Sequence, residues 1–144
     1  MSIFKSLFGR RTSAAQKVLG AMELFTSAAL LMVPSSDYES DDTRSKRLYV
    51  FLFGAIDALI QQHSISGVEM FDTLGAYLRQ TFPSMRHKEV QTVISFLTNA
   101  SADPAWVPII RHGGQTMVDW SRGDSTAPAR LLKVVHYGDY EHSR

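Results

Sequence analysis

The chain contains 144 residues, a length that suits one domain with a self-sufficient hydrophobic core. Its composition is 44% hydrophobic and 20% charged, which excludes a wholly disordered chain. Fifteen basic and fourteen acidic side chains leave a net charge of +1, so bulk charge does not favour nucleic acid as a partner. Cysteine is absent, which excludes thiol catalysis, disulfides and thiolate metal sites.

The first twelve residues combine apolar and cationic side chains in a short segment. The apolar residues are Ile3, Phe4, Leu7 and Phe8, and the cations are Lys5, Arg10 and Arg11. One interpretation is a segment that docks on a membrane surface or a partner through residues 3–11. The favoured interpretation is a terminal turn that folds back onto the core or frays. Because the basic residues follow the apolar ones, the segment does not fit a secretory signal, and we expect a cytoplasmic protein.

An apolar stripe at helical spacing predicts a first helix over residues 13–33. Pro34 ends this helix, because the residue before a proline avoids the helical conformation. The loop that follows carries four acids: Asp37, Glu39, Asp41 and Asp42. These acids form either a recognition surface or, as favoured for the last two, a negatively charged start to the second helix, with Ser40 as its predicted N-cap.

The apolar pattern of residues 41–82 predicts a central helical hairpin around which the rest of the chain packs. The first helix of this hairpin, over residues 41–63, carries two adjacent apolar faces, which is typical of a helix covered on most sides. At the turn, Ser66 and Glu69 fit a capping box that opens the next helix. That helix carries Phe71 on its predicted apolar face.

The later apolar stripes predict a fourth helix, a fifth helix and a short C-terminal helix. The fifth helix has a regular apolar seam that includes Gly113, with Gly114 beside it. The two glycines indicate either an interruption that binds an anion or, as favoured, a close helix–helix contact. We therefore predict an all-α, single-domain bundle of about five main helices plus the short helix, with the domain over residues 13–135 and a mobile tail over 136–144.

Side chains suited to catalysis are sparse. The five histidines form none of the spacings typical of a metal site, and no serine lies in a nucleophile motif, so we assign no catalytic residue, metal or cofactor. Asp57 and Asp72 interrupt the two apolar helices of the hairpin at similar distances from its turn. They either share an acid–base site or, as favoured, face solvent separately.

These features favour a non-catalytic cytoplasmic protein that acts by binding another protein, such as a toxin-neutralising immunity-type protein, an adaptor or a regulatory subunit. The candidate partner-binding residues are the acids Asp37, Glu39, Asp41, Asp42, Asp57 and Asp72. One alternative is an enzyme with a dispersed acid–base site around Asp57 and Asp72. Another is a membrane-peripheral protein that docks through residues 3–11. Nucleic acid is not an expected partner.

Overall fold

The computed structural model describes residues 13–138, so the docking hypothesis for the first twelve residues lies outside the described part of the chain. Six α-helices and two short 3-10 turns, without a strand, make up the described residues. The helices are α1 (Ala14–Leu30), α2 (Asp42–Gln62), α3 (Val68–Thr81), α4 (His87–Ala100), α5 (Val107–Ser121) and α6 (Arg130–Tyr137). This confirms the predicted all-α bundle of about five main helices and a short C-terminal helix.

Helix α2 is the centre of the bundle, because other helices cover it on several sides. Helices α1, α4, α5 and α6 all pack against it. Its buried residues are Leu48, Val50, Phe51, Leu52, Gly54, Ala55, Ile56, Leu59 and Ile60. Since each large apolar side chain contributes about 1.5–3 kcal/mol when fully buried, α2 supplies a major part of the core.

The main packing partner of α2 is α5, which lies much later in the chain than α3, the other helix of the predicted hairpin. Gly54 of α2 faces the backbone of α5, and Gly113 of α5 faces the backbone of α2. A Cβ atom at Gly113 would lie 3.0 Å from the carbonyl carbon of Phe51 and closer still to its oxygen. The missing side chains therefore let the two backbones approach, which confirms the packing interpretation of Gly113.

Two predicted helix caps are wrong. Helix α2 is capped by Asp41 instead of Ser40, because the Asp41 side chain accepts a hydrogen bond from the backbone amide three residues later, at 3.0 Å. The predicted capping box of Ser66 and Glu69 does not form. Gly67 occupies the cap position of α3 with a φ of 64°, a left-handed conformation that glycine adopts without steric cost.

Helix α6 ends at Tyr137, two residues beyond the predicted end of the domain. The guanidinium of Arg47 in α2 donates a hydrogen bond to the carbonyl oxygen of Val135, at 3.2 Å. Nε2 of His136 lies 2.8 Å from Oδ2 of Asp37 in the loop before α2. These contacts hold the end of α6 against α2 and that loop.

Candidate functional site

The first acid of the loop before α2 is engaged within the fold. Asp37 is partly buried, and its carboxylate forms the contact with His136 already described. Its backbone carbonyl accepts a hydrogen bond from Nη1 of Arg44, at 3.2 Å. The two contacts tie the loop to α6 and α2, so Asp37 has a structural role whether or not the loop meets a partner.

The other three acids of the loop are exposed but differ in their contacts. Asp41 caps α2, and a carboxylate oxygen of Asp42 lies 3.0 Å from the ammonium of Lys46 one turn later. Carboxylates at these positions also meet the positive end of the helix dipole. Glu39 is left as the acid of this loop that faces solvent without a described partner.

Asp57 and Asp72 do not share a site. Asp57 is partly buried and lines a pocket, whereas Asp72 is exposed and lies outside that pocket. Burial raises the pKa of the Asp57 carboxyl above its ordinary value, and the hydrogen bond from Gln61 opposes this shift. Asp72 does not contribute to the shift. The two carboxylates therefore do not form the paired arrangement that a shared acid–base site requires.

The pocket that contains Asp57, here called the Asp57 pocket, lies between α2, α3 and the end of α4. It is lined by Phe53, Asp57, Ile60, Met70, Phe71, Leu74, Leu97, Thr98 and Ser101. Its volume is about 110 Å³. Sites for cofactors and drug-sized ligands measure roughly 300–1,000 Å³, and a cavity of about 150 Å³ holds one benzene molecule. The Asp57 pocket is therefore the size of a single side chain.

The polar side chains of the pocket form hydrogen bonds with neighbouring groups. The hydroxyl of Thr98 donates to the carbonyl of Ile94 at 2.9 Å, and the hydroxyl of Ser101 donates to the carbonyl of Thr98 at 2.7 Å. Oδ2 of Asp57 accepts a hydrogen bond from Nε2 of Gln61 at 2.7 Å. The second carboxylate oxygen, Oδ1, has no described partner, and Asp57 is the one charged residue among those that line the pocket.

An apolar edge of α3 borders the pocket. Phe71 is 44% exposed, and Val68, three residues earlier and hence on the same side of the helix, is 76% exposed. The sequence predicted that Phe71 lies on the buried face of α3, and this prediction is wrong. Met70 packs against the core in its place, while Leu74 continues the buried face.

Two other polar clusters join helices. Arg130 of α6 lies 2.8 Å from a carboxylate oxygen of Asp119 in α5 and 3.4 Å from one of Asp124. The hydroxyls of Thr26 in α1 and the fully buried Tyr77 in α3 are 2.8 Å apart. Burial raises the pKa of Tyr77, which keeps its hydroxyl protonated. Because the groups in each cluster satisfy one another, we assign both clusters to stability.

The described residues contain no group of three or more histidine, aspartate or glutamate side chains placed to hold a metal ion. Within residues 13–138, no helix has the length and apolarity needed to cross a bilayer. No protein family, characterised protein or solved structure matches the chain. The Asp57 pocket and the apolar edge of α3 form the candidate site because of their geometry.

Proposed function

We propose that this protein is a non-catalytic cytoplasmic protein that binds another protein through the Asp57 pocket and the apolar edge of α3. Immunity-type proteins, adaptors and regulatory subunits all act in this way. The observation that carries the proposal is an apolar pocket of about 110 Å³, the size of one side chain, beside an exposed phenylalanine. Nucleic acid is not part of the proposal, because the net charge of +1 provides little attraction for phosphate.

The size and lining of the pocket match the way in which protein interfaces concentrate their energy. A few anchor side chains, seated in desolvated pockets near the centre of an interface, supply most of the binding energy. Phe71 and Val68 expose apolar surface at the edge of this pocket, and covering that surface would favour association. A partner that inserts one side chain and covers the edge of α3 uses both features.

The same observations favour binding over catalysis. A pocket of about 110 Å³ is smaller than the roughly 300 Å³ at which cofactor and substrate sites begin. The enzyme hypothesis needed Asp57 and Asp72 together, and Asp72 lies outside the pocket. Docking on a membrane through residues 3–11 stays a separate hypothesis.

Photo-crosslinking in the source cells tests the proposal. A photoreactive phenylalanine analogue replaces Phe71 in the full chain, and in a matched protein it replaces Leu24 of α1, an apolar residue that is 67% exposed. We expect the analogue at position 71 to give one discrete protein adduct that is absent with the analogue at position 24. The purified partner should then bind Phe71→Ser at least about thirtyfold more weakly, the loss of a 2 kcal/mol hot spot.

Two outcomes would refute the proposed surface. The first is an absence of any discrete adduct at position 71. The second is the same adduct pattern at both positions, since a surface-wide pattern reflects random encounters. Circular dichroism of Phe71→Ser serves as the control for folding, because this side chain is outside the buried core.

A further inference from the structure

Asp57 differs from every other acid in the described part of the chain. The acids that lie within ion-pair distance of a histidine, lysine or arginine are Asp37, Asp41, Asp42, Glu89, Asp119 and Asp124. Six of the described acids have no such partner. Five of them are exposed, namely Glu23, Glu39, Glu69, Asp72 and Asp103, and the sixth is Asp57. Asp57 is partly buried and has Gln61 as its hydrogen-bond donor, with no described cation.

We expect this arrangement to cost stability in the isolated protein. A carboxylate that loses water without gaining a cation is disfavoured in its charged form, and burial accordingly raises the pKa of Asp57. The walls around it, including Phe53, Leu74 and Leu97, are apolar and offer no donor. A residue that weakens the fold in this way is typical of a functional site, where stability is given up for binding.

We propose that a lysine or arginine side chain of the partner protein enters the Asp57 pocket, with its methylene stem against the apolar walls and its cationic head on the Asp57 carboxylate. This inference rests on the proposed function and names the chemistry of the partner residue. Lysine and arginine combine an apolar stem with a charged head, so one such side chain matches both parts of the pocket.

Other occupants match only one part of the pocket. A wholly apolar side chain would remove Asp57 from water without supplying a donor, which leaves a buried acceptor unsatisfied. An acidic side chain would meet a like charge. A basic side chain instead forms a charge-assisted hydrogen bond, which is about twice as strong as a neutral one.

Binding of a small amine tests the inference without the partner. The probe is n-butylammonium, which reproduces the stem and head of a lysine side chain, and the readout is the NMR shifts of the methyl groups of Leu74 and Leu97 in the full chain. We expect saturable binding with a Kd on the order of 10 mM, as suits a fragment of so few atoms. Neutral n-butanol and anionic butyrate should bind at least about tenfold more weakly, because charge pairing contributes a factor of that size.

Two variants make the test specific. Asp57→Asn keeps the shape of the site but removes the charge, and it should weaken butylammonium binding at least about tenfold. Asp72→Asn removes the same charge from an exposed position outside the pocket, and it should bind butylammonium like the wild type. Equal affinity of the wild type and Asp57→Asn, or the absence of saturable shifts, would overturn the inference.

The partner captured at position 71 separates this inference from the proposed function. We expect Asp57→Asn to weaken binding of that purified protein about tenfold or more, and excess butylammonium to compete with it. A partner that binds Asp57→Asn and the wild type equally overturns the basic-residue inference while the protein-binding function stands. A pocket that takes butylammonium while the partner binds undisturbed would identify a site for free amines and would likewise overturn it.

Discussion

The contact between α2 and α5 predicts opposite effects for the same substitution at two adjacent glycines. Alanine at Gly113 places a Cβ atom 3.0 Å from the carbonyl carbon of Phe51 and 3.3 Å from the amide nitrogen of Ala55. Alanine at Gly114 places it 3.4 Å from the carbonyl oxygen of Gly54, an ordinary contact. The first substitution pushes against backbone that cannot rotate away, whereas the second fits.

The magnitudes follow from two opposing effects. Replacing glycine by alanine inside a helix stabilises it by about 1 kcal/mol. Overpacking costs about 1–3 kcal/mol, and a clash with backbone belongs at the upper end of that range. Gly113→Ala should therefore lower the free energy of unfolding by about 2 kcal/mol, while Gly114→Ala should raise it by up to about 1 kcal/mol. At about 2–4 °C per kcal/mol, Tm should fall by about 6 °C for Gly113→Ala.

Urea unfolding followed by far-ultraviolet circular dichroism measures both values. Gly20→Ala is the matched control, because a Cβ built at this exposed helical glycine meets no described neighbour beyond its own helix backbone within 4 Å, and it should stabilise the protein by about 1 kcal/mol. Gly54→Ala meets the carbonyl of Ile110 from the other side of the contact. The double variant of Gly54→Ala and Gly113→Ala should lose less stability than the sum of the two single losses. Helices that one methyl group has already pushed apart accommodate the second one. Equal stability of Gly113→Ala and Gly114→Ala would refute the close-contact argument.

Three further substitutions test individual polar groups. Asp57→Asn should be more stable than the wild type at pH 7, because burial raises the folded-state pKa of Asp57. The wild type should lose stability as the pH rises from the ordinary aspartate pKa to the raised value. The free energies of unfolding of the two proteins, measured by urea titration, should therefore converge at lower pH. Tyr77→Phe should cost about 1 kcal/mol in urea unfolding, since it leaves the buried hydroxyl of Thr26 without its partner; no measurable loss would contradict this. Arg130→Met should lower the free energy of unfolding by about 1–2 kcal/mol, between the values for exposed and buried ion pairs. The reason is that the contact of Arg130 with Asp119 is mostly shielded from solvent. An effect below about 0.3 kcal/mol would assign the pair no role in stability.

Much of the secondary structure is determined locally and is therefore visible in the sequence. Apolar residues at helical spacing mark each of the six helices, and Pro34 and Pro83 follow the ends of α1 and α3. Errors occur where two local signals compete. At the start of α3, the Ser66–Glu69 pattern predicts a capping box, but Gly67 occupies the cap position in a left-handed conformation.

The candidate site was much less predictable, because it combines side chains from three helices. Leu97 and Ser101 of the α4 end meet Asp57 of α2 only after folding, and neither carries a local signal of that contact. Phe71 has the spacing of a core residue, yet Met70 packs in its place. The one usable signal was an acid within an apolar helix, and it marked Asp57 and Asp72 equally.

The sequence by itself determined that the chain forms an all-α bundle with α2 largely buried, because helical periodicity and apolar content act within each segment. The tertiary structure decided which helices meet. Gly54 and Gly113 look like weak points in isolated helices, and only their close approach shows that α2 pairs with α5. Packing likewise left Asp57 partly buried beside an apolar pocket and Asp72 in solvent, because burial depends on neighbours that are distant in the chain.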